Sequence, residues 1–245
     1  MNNLRTISNV LALVAVLLAA QSCYIHFEDD GYGCVQPRGP VITQSYNLPS
    51  FDRITNAIGA DITLRQSNNR EFEITAAESI LEQISLRIVD GELIIDNLSC
   101  ISNTNIEIFA AMPDIEAVHN VGSGDIFGDN IWEVDDLELR ITGSGKIDAE
   151  FIVDYLSIEI TGSGTMDLFG EAHLSEIRIS GSGDVHAFGM EANDQDIIIS
   201  GSGNCEVLAI DHLDVVISGS GNVFYKGNPQ VSVTISGSGT VIDAN

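Results

Sequence analysis

The stretch Ile177–Val185 reads IRISGSGDV. Ile177 and Ile179 stand four and two residues before Gly181, with Arg178 and Ser180 between and beyond them, and Val185 stands two residues after Gly183. Apolar residues at every second position are the signature of a strand buried on one face. The stretch therefore reads as strand, GSG, strand.

The same unit recurs along the second half of the chain. Its opening glycines are Gly122, Gly143, Gly162, Gly181, Gly201, Gly219 and Gly237, in steps of 21, 19, 19, 20, 18 and 18 residues. Its closing glycines are Gly124, Gly145, Gly164, Gly183, Gly203, Gly221 and Gly239. Ile141, Ile160, Ile179, Ile199, Ile217 and Ile235 precede the first glycine by two, and Leu139, Ile158, Ile177, Ile197, Val215 and Val233 by four. After the second glycine come Ile126, Ile147, Met166, Val185, Cys205, Val223 and Val241 at the matching inward position. A self-similar period near 19 marks a solenoid or array.

Two all-β architectures accommodate such units. In an antiparallel meander, GSG is a three-residue hairpin turn, for which glycine supplies positive φ. In a parallel β-helix each unit is one coil, and equivalent positions stack about 4.8 Å apart. Hairpin loops accept many sequences, whereas stacked corners touch their own equivalents and favour one repeated tripeptide. Thr142, Thr161, Ser180, Ser200, Ser218 and Ser236, directly before the glycines, repeat with the same regularity. The expected fold is therefore a parallel β-helix with GSG corners, and the meander is the alternative. The serines from Ser144 to Ser238 are expected in register along a hydrogen-bonded ladder.

The serial I(T/S)GSG units, with LPSFDRITNAIGADITLRQ and ISLRIVDGELIID ahead of them, resemble the auto-transporter adhesin, head-GIN domain family of bacterial envelope proteins. The resemblance runs from about Leu48 to the C-terminus. It implies a β-helix similar to pectin-lyase-type solenoids, and a role in cell adhesion. On this reading 41–245 is one domain, with 41–120 as irregular first coils or cap and 121–245 as the repeat coils. Strands are expected around Asp61–Leu64, Glu71–Thr75, Ile84–Val89 and Ile106–Phe109.

The N-terminus reads as an export signal. MNNLR carries one basic side chain, and Val10–Ala20 is an unbroken apolar run, the length of a signal core and too short to span a bilayer. AQSC then resembles a bacterial lipobox, although Gln21 and Ala20 depart from its commonest residues. Residues 1–22 are expected to be removed and Cys23 to be lipidated, which would anchor the protein to the membrane; ordinary secretory cleavage is the alternative. Residues 23–40, which lack alternation, read as a tether that reaches at most about 60 Å. Glu28, Asp29 and Asp30 resemble a surface-export signal of outer-membrane lipoproteins, or are a solvated linker. The expected location is the outer membrane, facing the surface, with periplasmic or secreted alternatives.

With 36 acidic against 10 basic residues and a formal charge of −26, the chain repels a phosphate backbone, so nucleic acid is not an expected partner. Beyond Cys23, the odd set Cys34, Cys100 and Cys205 allows at most one internal disulfide. No Cys/His spacing suggests a metal site. GxGxxG and GxSxG arrangements are absent, and the period excludes calcium-binding nonapeptides.

Two functions from different classes remain. The first is a surface module without catalysis that presents repetitive faces to a glycan or a surface protein. The second is a carbohydrate-active enzyme, a lyase or glycosidase of pectin-lyase-like fold. From Asp125 onward the only basic residues are Arg140, Lys146, Arg178 and Lys226, which leaves a lyase few candidates for its base. Three positions after each GSG, stacking would place Asp148, Asp167, His186 and Glu206 in one outward column. Asp148 and Asp167 are the candidate pair for a shared calcium ion, against a screened acidic face. Trp132, Phe169 and Phe188 are the candidate contact aromatics, with Phe169 and Phe188 at one offset in adjacent coils; packing in a solenoid corner is the alternative.

Overall fold

Alternation becomes coiling once each strand lies parallel above its predecessor. The computed structural model describes residues 33–102 and 105–245, and the fold below is that of the unit Val35–Asn245. The expected signal peptide, Cys23 and most of the tether lie outside the described residues.

The regular coils run through β10 (Trp132–Ile141), β11 (Lys146–Ile160), β12 (Thr165–Ile179), β13 (Asp184–Ile199) and β14 (Cys205–Ile217), and close with β15 (Asn222–Lys226), β16 (Gln230–Ile235) and β17 (Thr240–Asp243). All successive pairings among them are parallel. Leu139, Ile158, Ile177, Ile197, Val215 and Val233 form one continuous column. Ile126, Ile147, Met166, Val185, Cys205, Val223 and Val241 form another across the corner. The interior of the coils before β16 is buried, so each of these repeats supplies one layer of a side-chain-filled core. The fold is a parallel β-solenoid; the meander is not formed.

Chain order and stacking order part company in the first half. The coil made by β2 (Arg53–Asn56) and β3 (Asp61–Gln66) lies directly under β8 (Ala117–Asn120) and β9 (Ile126–Gly128). On its other side lie β6 (Glu92–Asn97) and β7 (Glu107–Met112), which come later in sequence. The chain lays its second-level coil first, adds the end coil, then returns 64 residues on to continue the stack, as the contact of Asn56 with Asn120 records.

The end coil is sealed by antiparallel strands. β5 (Ile84–Val89) pairs with β6, β4 (Glu71–Ala77) with β7, and β1 (Val41–Ser45) with β4, while the one-turn helix α1 (Glu78–Leu81) tucks Ile80 and Leu81 inside. Antiparallel strands cover the exposed backbone of a parallel coil and end the pairing. The expected tether needs correcting at its end: Val35 bridges to Ile101, Arg38 N–H donates to Ser79 Oγ at 2.7 Å, and Glu78 N–H donates to the Pro40 carbonyl. Cys34 and Cys100 are disulfide-bonded, while Cys205 is a free thiol whose complete burial pushes its pKa up.

The corners are tight for a reason other than the turn itself. Among the described residues the glycines with positive φ are Gly39, Gly91, Gly170 and Gly227, none of them in a GSG unit. At Gly181 and Gly201 a Cβ would fall onto the carbonyl oxygen of Gly162 and Gly181 in the preceding coil, far inside the 3.0 Å that real Cβ atoms keep. Close approach, not backbone freedom, demands glycine. The ladder bonds at these corners are backbone bonds: Ser182, Ser202, Ser220 and Ser238 donate N–H to Gly162, Gly181, Gly201 and Gly219, and their side chains are exposed.

Candidate interaction surface

Outward side chains on stacked strands line up in rows, so the surface is a set of columns. On the face carrying β8 and β10, Arg140 lies 2.6 Å from Glu138 and 3.0 Å from Glu159 of the next coil, and His119 Nε2 lies 3.3 Å from Glu138. Arg178 pairs with Glu176 at 2.8 Å. Exposed pairs of this kind contribute little stability each, but those of Arg140 tie a side chain of one coil to its neighbour in the next. Further along, Glu176, Asp196 and Asp214 stack in register. Burial, together with Asp214, Glu176 and Asp194, raises the Asp196 pKa above its ordinary value.

A cleft of about 990 Å3 opens on this face where the first coils meet β10. Asp114, Glu116, Glu133, Asp135, Asp136 and Glu138 line it, opposed by Arg53, with Tyr155 and Ser157 contributed by β11. Its wall is pinned by Gln66. The Gln66 amide donates to the Glu133 carbonyl at 2.9 Å and accepts from Glu133 N–H at 2.7 Å, and Asn130 brackets the Gln66 backbone from both sides. Burial, followed by the charge of Glu176, raises the Tyr155 pKa. Six carboxylates around one guanidinium attract cationic groups and repel anions. Among the described residues no group of three or more His, Cys, Asp or Glu is arranged to hold a metal ion.

The column from Asp148 to Glu206 forms in the expected register: Asp148 opposite Asp167, Asp167 opposite His186, and His186 opposite Glu206. The shared-calcium reading of Asp148 and Asp167 is corrected by Lys146. Its Nζ lies 2.8 Å from Asp148 Oδ2 and 2.5 Å from Asp167 Oδ2. An ammonium already stands where the two carboxylates need a cation, and those hydrogen bonds raise the Lys146 pKa.

The aromatic candidates separate. Trp132 is fully buried and makes no surface contact. Phe169 is exposed, and its ring lies over Gly189, the residue in register with it. Phe188 does not stack on Phe169, because the register shifts between Asp167 and Phe169; instead, Lys226 Nζ sits 4.3 Å from the centre of the Phe188 ring.

A second ladder escapes the sequence reading. At the position after GSG, Asp184 Oδ1 accepts from Asn204 N–H at 2.7 Å and from its Nδ2 at 3.0 Å. Asn204 Oδ1 accepts in the same way from Asn222, and Asn222 Oδ1 accepts from Thr240. Where the lower coil offers Lys146 or Thr165 instead, the upper coil's N–H turns to a carbonyl: Thr165 donates to Gly145 and Asp184 to Gly164. The recurring Asp or Asn after GSG was the available signal.

The family model described as "Putative auto-transporter adhesin, head GIN domain" matches residues 50–229. The chain belongs to this family. Solved structures share the fold of this head GIN domain. A "putative adhesin" from Bacteroides fragilis is 25% identical with a TM-score of 0.80, covering 84% of this chain and 98% of its own. A "putative lipid binding protein" from Parabacteroides distasonis is 24% identical with a TM-score of 0.71, covering 87% and 100%. A "putative adhesin" from Parabacteroides merdae is 22% identical with a TM-score of 0.67, covering 86% and 99%. No protein of curated function matches the chain. Membership places this head GIN domain among adhesin-like proteins of the cell surface or envelope.

Proposed function

We propose that this head GIN protein is a lipid-anchored module of the outer membrane that binds a surface partner through the columned face of its coils, without catalysing a reaction. The observation that carries this reading is the acidic cleft continuous with that face, where Gln66 fixes the wall and ion pairs engage Arg140 and Arg178. A pre-organised polar surface loses little entropy on binding. Its chemistry suits a partner with exposed cationic groups on a protein or glycan. The "lipid binding" neighbour does not transfer that property, because a cleft lined by carboxylates is a poor site for acyl chains.

Binding of the protein to arrays of glycans and matrix proteins tests the module. The expected result is retention on basic ligands that weakens with salt and with Asp135→Asn together with Asp136→Asn, and no cleavage of the ligand. Saccharide turnover would instead establish the carbohydrate-active reading. Anchoring is tested separately: Cys23→Ala should move the protein from the membrane to the soluble fraction, and retention of that variant in the membrane would refute lipidation.

A further inference from the structure

The two ends of the solenoid are finished differently. At one end, antiparallel β1, β4 and β5 close the stack and leave Ile74, Leu93 and Ile95 with no solvent exposure. At the other, β16 pairs with β14 and β17 with β15, and no described residue pairs with their outer edges. The core column consequently opens to solvent. Leu213, Val215 and Ile217 are at most 1% exposed, but their successors Val231, Val233 and Ile235 are 41%, 44% and 42% exposed.

Backbone geometry makes this edge ready to pair. Ser236 N–H donates inward to the Ile217 carbonyl at 2.8 Å. Successive residues of a strand aim their N–H and C=O groups at opposite neighbours, so those of Ile235, Val233 and Val231 face the free edge. An open edge beside exposed core residues invites another strand.

Charge selects the partner. The protein carries a formal charge of −26, yet residues 227–242 contain no Asp, Glu, Lys, Arg or His. Most other surfaces of one copy repel a second copy, whereas this one offers no charge and an apolar row. We infer that the coil carrying β16 and β17 is the interface for a second copy of this chain, joined tail to tail about a two-fold axis. A two-fold operation sets the edges antiparallel, pairs the free N–H and C=O groups, and covers Val231, Val233 and Ile235 with their own counterparts. Because a two-fold interface uses the same edge of both copies, it closes at two.

Sedimentation of the detergent-solubilised full chain, across micromolar to hundred-micromolar concentrations, tests this. Wild type is expected to sediment as two copies. Val233→Pro removes an outward N–H, keeps an apolar side chain and breaks no bond to β14; it should raise the dimer dissociation constant at least about tenfold. Val231→Lys, which places a cation in the apolar row while leaving every backbone group in place, should do the same. Unchanged melting curves by circular dichroism identify variants that still fold. A wild-type monomer over the whole range, or a dimer equally stable in both folded variants, overturns the inference. So does slow amide exchange at Val231, Val233 and Ile235 in a monomer, since another segment of the same chain would then cover the edge.

Discussion

Gly201 is packed so closely against the carbonyl oxygen of Gly181 that no other amino acid fits between the two coils. The obstruction is backbone, which cannot move aside as a side-chain tip can. Gly201→Ala should therefore cost about 3 kcal/mol or more, and Gly181→Ala a similar amount. Gly33→Ala, where nothing lies within 4 Å of the added Cβ, should leave the denaturation midpoint unchanged. Equal midpoints for all three would show that the corners part easily.

Lys146 bridges Asp148 and Asp167, and its removal should reveal what it neutralises. Lys146→Met is expected to lower the melting temperature at neutral pH. Because the folded pKa of Lys146 lies above its ordinary 10.5, the contribution is fully present below about pH 10 and is lost as pH rises through the folded value. The gap between wild type and variant should therefore close only in strong alkali. Replacing magnesium by calcium at equal ionic strength should not shift the wild type; a calcium-dependent rise would restore the metal reading.

The Asn204 side chain makes three hydrogen bonds in the ladder after GSG, accepting twice from Asn222 and donating once to Asp184. Asn204→Ala leaves a partly buried N–H without its acceptor and should cost about 1 to 2 kcal/mol in chemical denaturation. Asn204→Asp keeps the acceptor but sets a carboxylate beside Asp184. It should be tolerated near pH 3 and destabilising at pH 7. The reverse order would mean that the amide's donor role is unimportant.

Asp196 sits in an acidic column, and its pKa is raised above the ordinary 3.8. A carboxyl whose folded pKa is raised weakens the fold as pH climbs through its titration, since the native state holds the proton longer. Asp196→Asn should therefore match wild type near pH 3 and exceed it in melting temperature at pH 7. A variant less stable than wild type at pH 7 would show that the carboxylate is used in a contact that outweighs the repulsion.

The repeat half of this protein was legible in its sequence. Each coil touches only the coils above and below, so alternation at Ile177 and Ile179 fixes which side chains enter the core, and the 18- to 21-residue spacing fixes which residues stack. Asp148 opposite Asp167, and Ile158 under Ile177, follow from that periodicity alone. Tertiary structure decided what does not repeat. The end coil of β6 and β7 lies outside the earlier β2 and β3 because a 50-residue excursion carries no period to order it, and strand pairing there is settled by which edges remain free. Small departures from the repeat had the same effect: one extra residue after Asp167's partner takes Phe188 away from Phe169, and the gap beside Gly128 draws Trp132 wholly inside. Lys146 illustrates the division most plainly. Its place in the chain was visible, but the reach of its side chain to two carboxylates in successive coils depends on distances across the stack that only the folded chain sets.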